Sequence, residues 1–421
     1  MAQRRLPKFL ITLLVLAAAG AILVFVVAPW YAKKLAIETA AHEGVRLTVE
    51  RASVGLDGVH LSTLTASVPE TPGSLATIDD MTIAFSGVTP KTATLRGVEL
   101  TLEGDAQQLM LGLASARRVG EPTGAGGPLE KVIVQNAHVR WNGALGPSTS
   151  VDATDVAAEL LPAPRLGDEL HATAGNVRVA MGRELGPWRV AYDRSPTLLR
   201  TVIDFDPTER GAATIAFART MAPGKPDATT IEGEIRKRKL SKLGIPGAVL
   251  LLPSKDDPEI EAHVKHASPS PARSEGAVSF VVRGLQLPQM TVPGDVALDV
   301  AWAGDPASAI ALSRGTFTLG PFTGDVHGTV QPYDGGFRTD LAFKSKPVSC
   351  EVLAGTQLGG ASAPLAALAQ VTGLARAVTG DADISGVLVF DSSKTAATRF
   401  ELTPASRCGL ALFPANGQQA R

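Results

Sequence analysis

Two cysteines, Cys350 and Cys408, are the only thiols in the 421-residue chain. In an oxidising compartment a lone pair of this kind is free to join, and closing a loop of that length contributes roughly 4 kcal/mol in the chain-entropy view. The alternative is two buried free thiols. Two cysteines without CxxC spacing cannot build a zinc site. The other candidates for chemistry are polar clusters. His263 and His266 lie three apart with Asp256, Asp257, Glu259 and Glu261 nearby, so a metal site can be drawn. On a strand, residues three apart face opposite sides, and an ordinary polar strand accounts for the cluster equally well. Asp381 and Asp383 resemble a paired acid and base, but after Gly380 and before an apolar run they read as turn residues. Arg236-Lys237-Arg238-Lys239 has the charge to meet lipid phosphates, or else to solvate a strand end and block edge pairing. There is no P-loop, dinucleotide fingerprint, HExxH, GxSxG or CxxC. The expectation is a protein that is not an enzyme, with no metal and no cofactor.

Phe9 to Ala28 form one uncharged apolar run between Arg4, Arg5 and Lys8 on one side and Lys33 and Lys34 on the other. A helix over this run matches a hydrocarbon core of about 30 Å. The competing reading, a cleaved signal peptide, has an apolar core of about 7–15 residues, shorter than this one. Pro29, Trp30 and Tyr31 follow at once, and Trp and Tyr suit a membrane–water interface. The flanking positive charge favours a cytoplasmic N-terminus and an exported bulk. Without Arg4, Arg5 and Lys8 the 40 basic residues fall to 37 against 41 acidic ones, a balance that excludes nucleic acid as partner.

Beyond the anchor, apolar residues alternate with polar ones: Met81-Ile83-Phe85, Val98-Leu100-Leu102, Val177-Val179-Met181, Trp188-Val190-Tyr192, and Val296-Leu298-Val300-Trp302. Period two means strands with one apolar face. Turn signals at Gly87, Gly97, Asn142-Gly143, Asp334-Gly335-Gly336 and Gly386 separate them. Aromatics make up only 5% of residues, too few to fill a thick sandwich, so the predicted fold is mainly β: an elongated, curved, antiparallel sheet, open and groove-like, with a few short helices after one transmembrane helix. Helices are predicted at 105–118 and from Pro364 to Thr379, and Leu240 to Leu252 reads as a surface hairpin or short lid. Loops are predicted at 120–128, 162–168, 221–228, 253–258 and 267–275. The chain then divides into a cytoplasmic tail (1–8), a transmembrane segment (9–31) and two parts of one β-rich region, 32–260 and 276–421, the latter holding the disulfide.

Several phrases resemble the AsmA-like superfamily of bacterial envelope proteins. They are the stretch 44–59 (GVRLTVERASVGLDGV) after the anchor, 78–85 (IDDMTIAF), 129–141 (LEKVIVQNAHVRW) and 378–390 (VTGDADISGVLVF). The cysteine-bearing C-terminus is similar to the N component of type II secretion systems, a relative. The resemblance implies a single-pass anchor in the bacterial inner membrane, a periplasmic sheet folded into a groove, and roles in lipid movement or outer-membrane assembly. It carries no catalytic residues. Roughly 20 strands stacked at about 4.8 Å reach only about 100 Å, which favours a lipid-holding module or a scaffold over a complete envelope bridge. Two classes of function follow. In one, the apolar faces, with Met81, Ile83, Phe85, Val98, Leu100, Leu102, Val296, Leu298, Val300 and Trp302 as candidates, hold phospholipid or another acyl lipid. In the other, edges and loops dock other envelope proteins, as in a type II secretion system.

Overall fold

The computed structural model describes residues 28–42, 45–55, 57–67, 73–86, 89–104, 129–144, 148–161, 169–181, 184–221, 224, 226–245, 257–270, 272–285, 294–305, 307–333, 336–356, 378–391 and 399–410. The run Phe9–Ala28 therefore lies outside them except for Ala28, as does the helix expected at 105–118. Among the described residues no helix is long and apolar enough to cross a membrane. The fold is mainly β, in two compact units that divide after Pro196.

In the first unit a helix, α1 (Ala28–His42), precedes β1 (Arg46–Val54), β2 (Val59–Ser67), β3 (Leu75–Ser86), β4 (Thr89–Glu103), β5 (Lys131–Asn142), β6 (Thr149–Leu161), β7 (Glu169–Met181) and β8 (Glu184–Arg194). Each strand pairs with its chain neighbour, antiparallel except for β4–β5, which is parallel. A parallel pair needs a crossover of a dozen residues or more, and the stretch between Glu103 and Lys131 supplies that length.

The apolar face of this unit changes phase along a line that crosses seven strands. Core residues are three apart, not two, at Val49/Ala52, Leu61/Leu64, Ile78/Met81, Leu95/Val98 and Val134/Ala137, and again at Ala153/Val156 and Ala174/Val177. The cause lies in the backbone. Thr63 (φ 56°) in β2, Gly97 (φ 59°) in β4, Asn136 (φ 53°) in β5 and Asp155 (φ 56°) in β6 are left-handed, at matching positions of four of the seven strands. A left-handed residue reverses the alternation of side chains, so each of these four strands resumes with its apolar positions on the original face. Gly97 is required in this row because a Cβ there would overlap the Asp79 carboxylate.

The second unit contains β9 (Leu198–Asp204), β10 (Ala213–Thr220), β11 (Ala228–Lys239), a 3₁₀ turn (Leu240–Leu243), β12 (Glu259–Ser270), β13 (Arg273–Leu285), β14 (Gly294–Gly304), β15 (Ile310–Leu319), β16 (Phe322–Tyr333) and β17 (Gly336–Ser345). There follow β18 (Val348–Ser349), helix α2 (Cys350–Thr356), β19 (Val378–Thr379), β20 (Asp381–Asp391), β21 (Arg399–Ser406) and β22 (Gly409–Leu410). From β9 to β17 each strand pairs antiparallel with the next. The ladder ends in β17–β20–β21, and β19 and β22 form a separate two-stranded piece.

Three expectations change here. The span 267–275 is a tight hairpin, since β12 runs to Ser270 and β13 starts at Arg273. Pro269 breaks the ladder only locally, where the register shifts between Ala267 and Ser270. Asp381 and Asp383 stand in β20 after the turn at Gly380, not in the turn. The helix expected to reach Thr379 does not, because Val378 and Thr379 pair with Leu410 and Gly409, and the rest of that span lies outside the described residues.

Candidate functional site

Among the described residues, each unit is a sheet one layer thick. Within each unit, every substantial contact between strands is between ladder neighbours. Among the described residues the apolar face is covered in two places. Ala32, Ala36 and Ile37 of α1 lie over Val49, Leu61 and Leu64. In the second unit Leu240 and Leu243 of the 3₁₀ turn pack with Ala213, Ile260, Val282 and Leu285. Leu243 is 0% exposed and Leu240 2%, so this part of the stretch expected as a lid is a fixed plug, while 246–252 lie outside the described residues.

Elsewhere the face is kept thin by aromatic rings laid over glycines. Trp302, Phe317 and Phe343 each face a glycine directly across the ladder, namely Gly276, Gly324 and Gly386. In each case a Cβ on the glycine would overlap the ring. A ring lying on bare backbone shields hydrogen bonds that a single-layer sheet leaves open, the device known as aromatic rescue of glycine. Phe317 and Phe343 also meet edge to face, 5.3 Å between centroids. Beneath them Val300, Val326 and Leu341 reach core-like burial.

The candidate positions distribute over this face. Met81, Ile83 and Val98 belong to the cluster under α1, Val296 packs against the cluster around the 3₁₀ turn, and Leu298, Val300 and Trp302 belong with the aromatic group. Ile83, Val98 and Val300 are buried, Leu100, Leu102, Val296, Leu298 and Trp302 are half-buried, and Phe85 is exposed. Met81 and Ile83 do not pair with Val98 and Leu100. Their partners are Leu95 and Ala93, and Val98 and Leu100 pair with Ile78 and Ala76 across the line of left-handed residues. The period-two runs Met81–Phe85 and Val98–Leu102 thus begin at that line.

The opposite face is polar and ion-paired: His60 with Asp57, His138 with Asp152, His171 with Asp193, Arg314 with Asp299 and Arg283 with Glu261. The His60 hydrogen bond holds the Asp57 carboxyl below its ordinary range, and the Asp193 hydrogen bond raises His171. Such exposed pairs contribute little stability each. In the basic run at 236–239, Arg236 pairs with Glu234, Lys237 with Glu259 and Arg238 with Asp206 and Glu209, while Lys239 donates to the Asp257 carbonyl. It forms the C-terminal end of β11, where Arg238 and Lys239 pair with β12 but the run extends past the last β10 partner, Ala213 opposite Ile235. His263 and His266 face opposite sides, as their ladder partners Ser279 and Gly276 require, and no metal-holding group of residues occurs among the described residues.

Cys350 and Cys408 are joined, with Cα atoms 5.7 Å apart and a sequence separation of 58. Cys350 is 1% exposed. The bond ties the start of α2 to the connection between β21 and β22.

At the N-terminal end of α1, Trp30 and Tyr31 are 62% and 59% exposed, and the Lys34 ammonium lies over the Trp30 ring at 5.6 Å. Sequence reasoning had no signal for two features that shape the face, the row of left-handed residues and the rings over glycines. Each needs the register of neighbouring strands, which a single sequence does not display.

No protein-family model matches the chain, and comparisons with curated proteins and with solved structures return no match. What fold and face define is a class by architecture: a β protein built as open, single-layer ladders with one apolar and one ion-paired face.

Proposed function

We propose that this protein is anchored in the inner membrane of a bacterial cell and holds acyl lipid against the apolar faces of its periplasmic sheet, passing it on or supporting outer-membrane assembly without catalysis. One observation carries the reading: within each unit the sheet has one apolar face and, among the described residues, no second layer over most of it. A face of this kind against water is unfavourable by about 25 cal/mol per Å², and an acyl chain relieves that cost. The exposed Trp30 and Tyr31 give support from the other end, since amphipathic rings beside lysines suit the membrane interface directly after an apolar run.

The test uses charge on the face. Leu100→Glu and Leu298→Glu place a carboxylate on half-buried positions where water reaches it once lipid leaves, so melting should change by less than about 1 kcal/mol while lipid is lost. Leu61→Glu, at a fully buried position under α1, should destabilise by several kcal/mol. The readouts are thermal melting and mass spectrometry of lipid copurified with the full chain. Unfolding of Leu100→Glu and Leu298→Glu would mean a closed core and favour the docking scaffold.

A further inference from the structure

The apolar face of the first unit ends, at β8, on two polar side chains. Ladder partners across β4 to β8 line up in two rows: Ala93, Val132, Leu160 and Leu170 lead to Arg194, and Leu95, Val134, Ala158 and Ala172 lead to Tyr192. Residues directly opposite on a ladder share a face, so Arg194 and Tyr192 stand on the apolar side of the sheet. Four strand spacings of about 4.8 Å give each row roughly 19 Å, the scale of one leaflet of a hydrocarbon core about 30 Å thick. α1 lies over Val49, Leu61 and Leu64 of β1 and β2. Among the described residues no element lies over Leu160, Leu170, Ala158 or Ala172, all of them half-buried.

The charge at the end of these rows is uncompensated. Among the described residues Arg194 has no ion-pair or hydrogen-bond partner, and it is exposed, so its guanidinium is open to a ligand. The Tyr192 hydroxyl has no partner there either and is not sealed from solvent, so it is free to donate. Arginines of the opposite face are placed differently: Arg140 lies beside Asp152 and Arg178 beside Glu184. By alternation along β4 to β8, the one other charged side chain on the apolar face is Lys91, which pairs with Glu130. A guanidinium binds a phosphate group through two parallel hydrogen bonds. An acyl chain laid along the rows would bring such a group to Arg194. A zwitterionic head would bring an ammonium as well, and this end of the face offers it no free carboxylate among the described residues.

We infer that β4 to β8 form a site for an anionic phospholipid, with an acyl chain across the strands and the phosphate held by Arg194 and Tyr192, so that this part of the sheet prefers anionic over zwitterionic lipid. This rests on the lipid-holding reading above and adds a headgroup preference to it. The experiment uses the full chain in detergent with phosphatidylglycerol or phosphatidylethanolamine, each carrying the same photoreactive diazirine in its acyl chain, and maps the labelled peptides by mass spectrometry. Peptides of β6 and β7 should be labelled about fivefold more by phosphatidylglycerol, the effect of one basic side chain near a phosphate. That ratio should fall to within about 1.5-fold in Arg194→Gln and be largely kept in Arg194→Lys, with phosphatidylethanolamine labelling unchanged in both. A second readout needs no variant: in wild-type protein the ratio should shrink at 0.5 M salt, since an exposed charge is screened. Equal labelling of β6 and β7 by the two lipids, no labelling there, or a ratio that survives Arg194→Gln overturns the inference and, provided the apolar face is labelled elsewhere, leaves the lipid reading standing. Absence of labelling by either lipid anywhere on the apolar faces overturns both.

Discussion

Thr63 is a β-branched residue held at φ 56°, a conformation that costs L-residues roughly 1–2 kcal/mol and that Asn tolerates far better. Its counterparts Asn136 and Asp155 are the residue types expected there. Thr63→Asn should therefore raise stability by about 0.5–1 kcal/mol, read as a higher melting temperature, and Thr63→Val should not. Asp206 poses the opposite case, a carboxylate 1% exposed at the β9–β10 connection. Burial pushes its carboxyl up, but the Thr208 hydroxyl and amide and the Arg238 guanidinium outweigh that and hold it below the ordinary range. A carboxyl depressed in the folded state contributes stability that is present above its unfolded value, near 3.8, and is lost as pH falls through the folded value. Asp206→Asn should cost about 3 kcal/mol at pH 7 by leaving Arg238 without its buried partner. It should also flatten the acid limb of the melting curve below about pH 4. A variant with the wild-type acid limb would contradict this account of Asp206. None of this was legible in the sequence, because a left-handed threonine and a clamped aspartate look like any other threonine and aspartate in a polar stretch.

The elements themselves were largely legible. Alternation at period two is local, and the strands carrying Met81–Phe85, Val98–Leu102 and Val296–Trp302 stand where it placed them. The cysteine pairing was legible too, since two thiols leave one partner each. What depends on register or on distant contacts was not: the parallel β4–β5 pair, the phase change across β1–β7, and the inward packing of Leu240 and Leu243. The last followed a Gly- and Pro-broken sequence that reads as surface. Its burial makes a sharp expectation. Leu243→Ala should destabilise by about 2–5 kcal/mol, in line with other buried leucines. Reduction of Cys350–Cys408 should cost roughly 4 kcal/mol in the chain-entropy model. Denaturant melts of the variant and of reduced protein check both, and a Leu243→Ala melt within 0.5 kcal/mol of wild type would refute the plug.

At the scale of the whole molecule, each unit has one apolar and one ion-paired face and, among the described residues, no second layer over most of the apolar one, so each resembles half of a sandwich. Lipid, or a partner protein, would supply the other half. The polar face, with Arg314–Asp299 and Arg283–Glu261 along it, solvates the sheet, and its pairs need no partner. The account also requires the bulk of the chain to be exported. Alkaline-phosphatase fusions within β5 should be active, and β-galactosidase fusions at the same point inactive; the reverse would overturn the topology. The central claim is that the apolar face itself touches acyl chains, and photocrosslinking in living cells tests it most directly. A photoreactive residue at Leu298 or Leu100 should yield lipid adducts, while one at the neighbouring Asp299 or Glu99 on the ion-paired face should yield none. Protein adducts at Leu298 and Leu100 with no lipid at either position would contradict the claim.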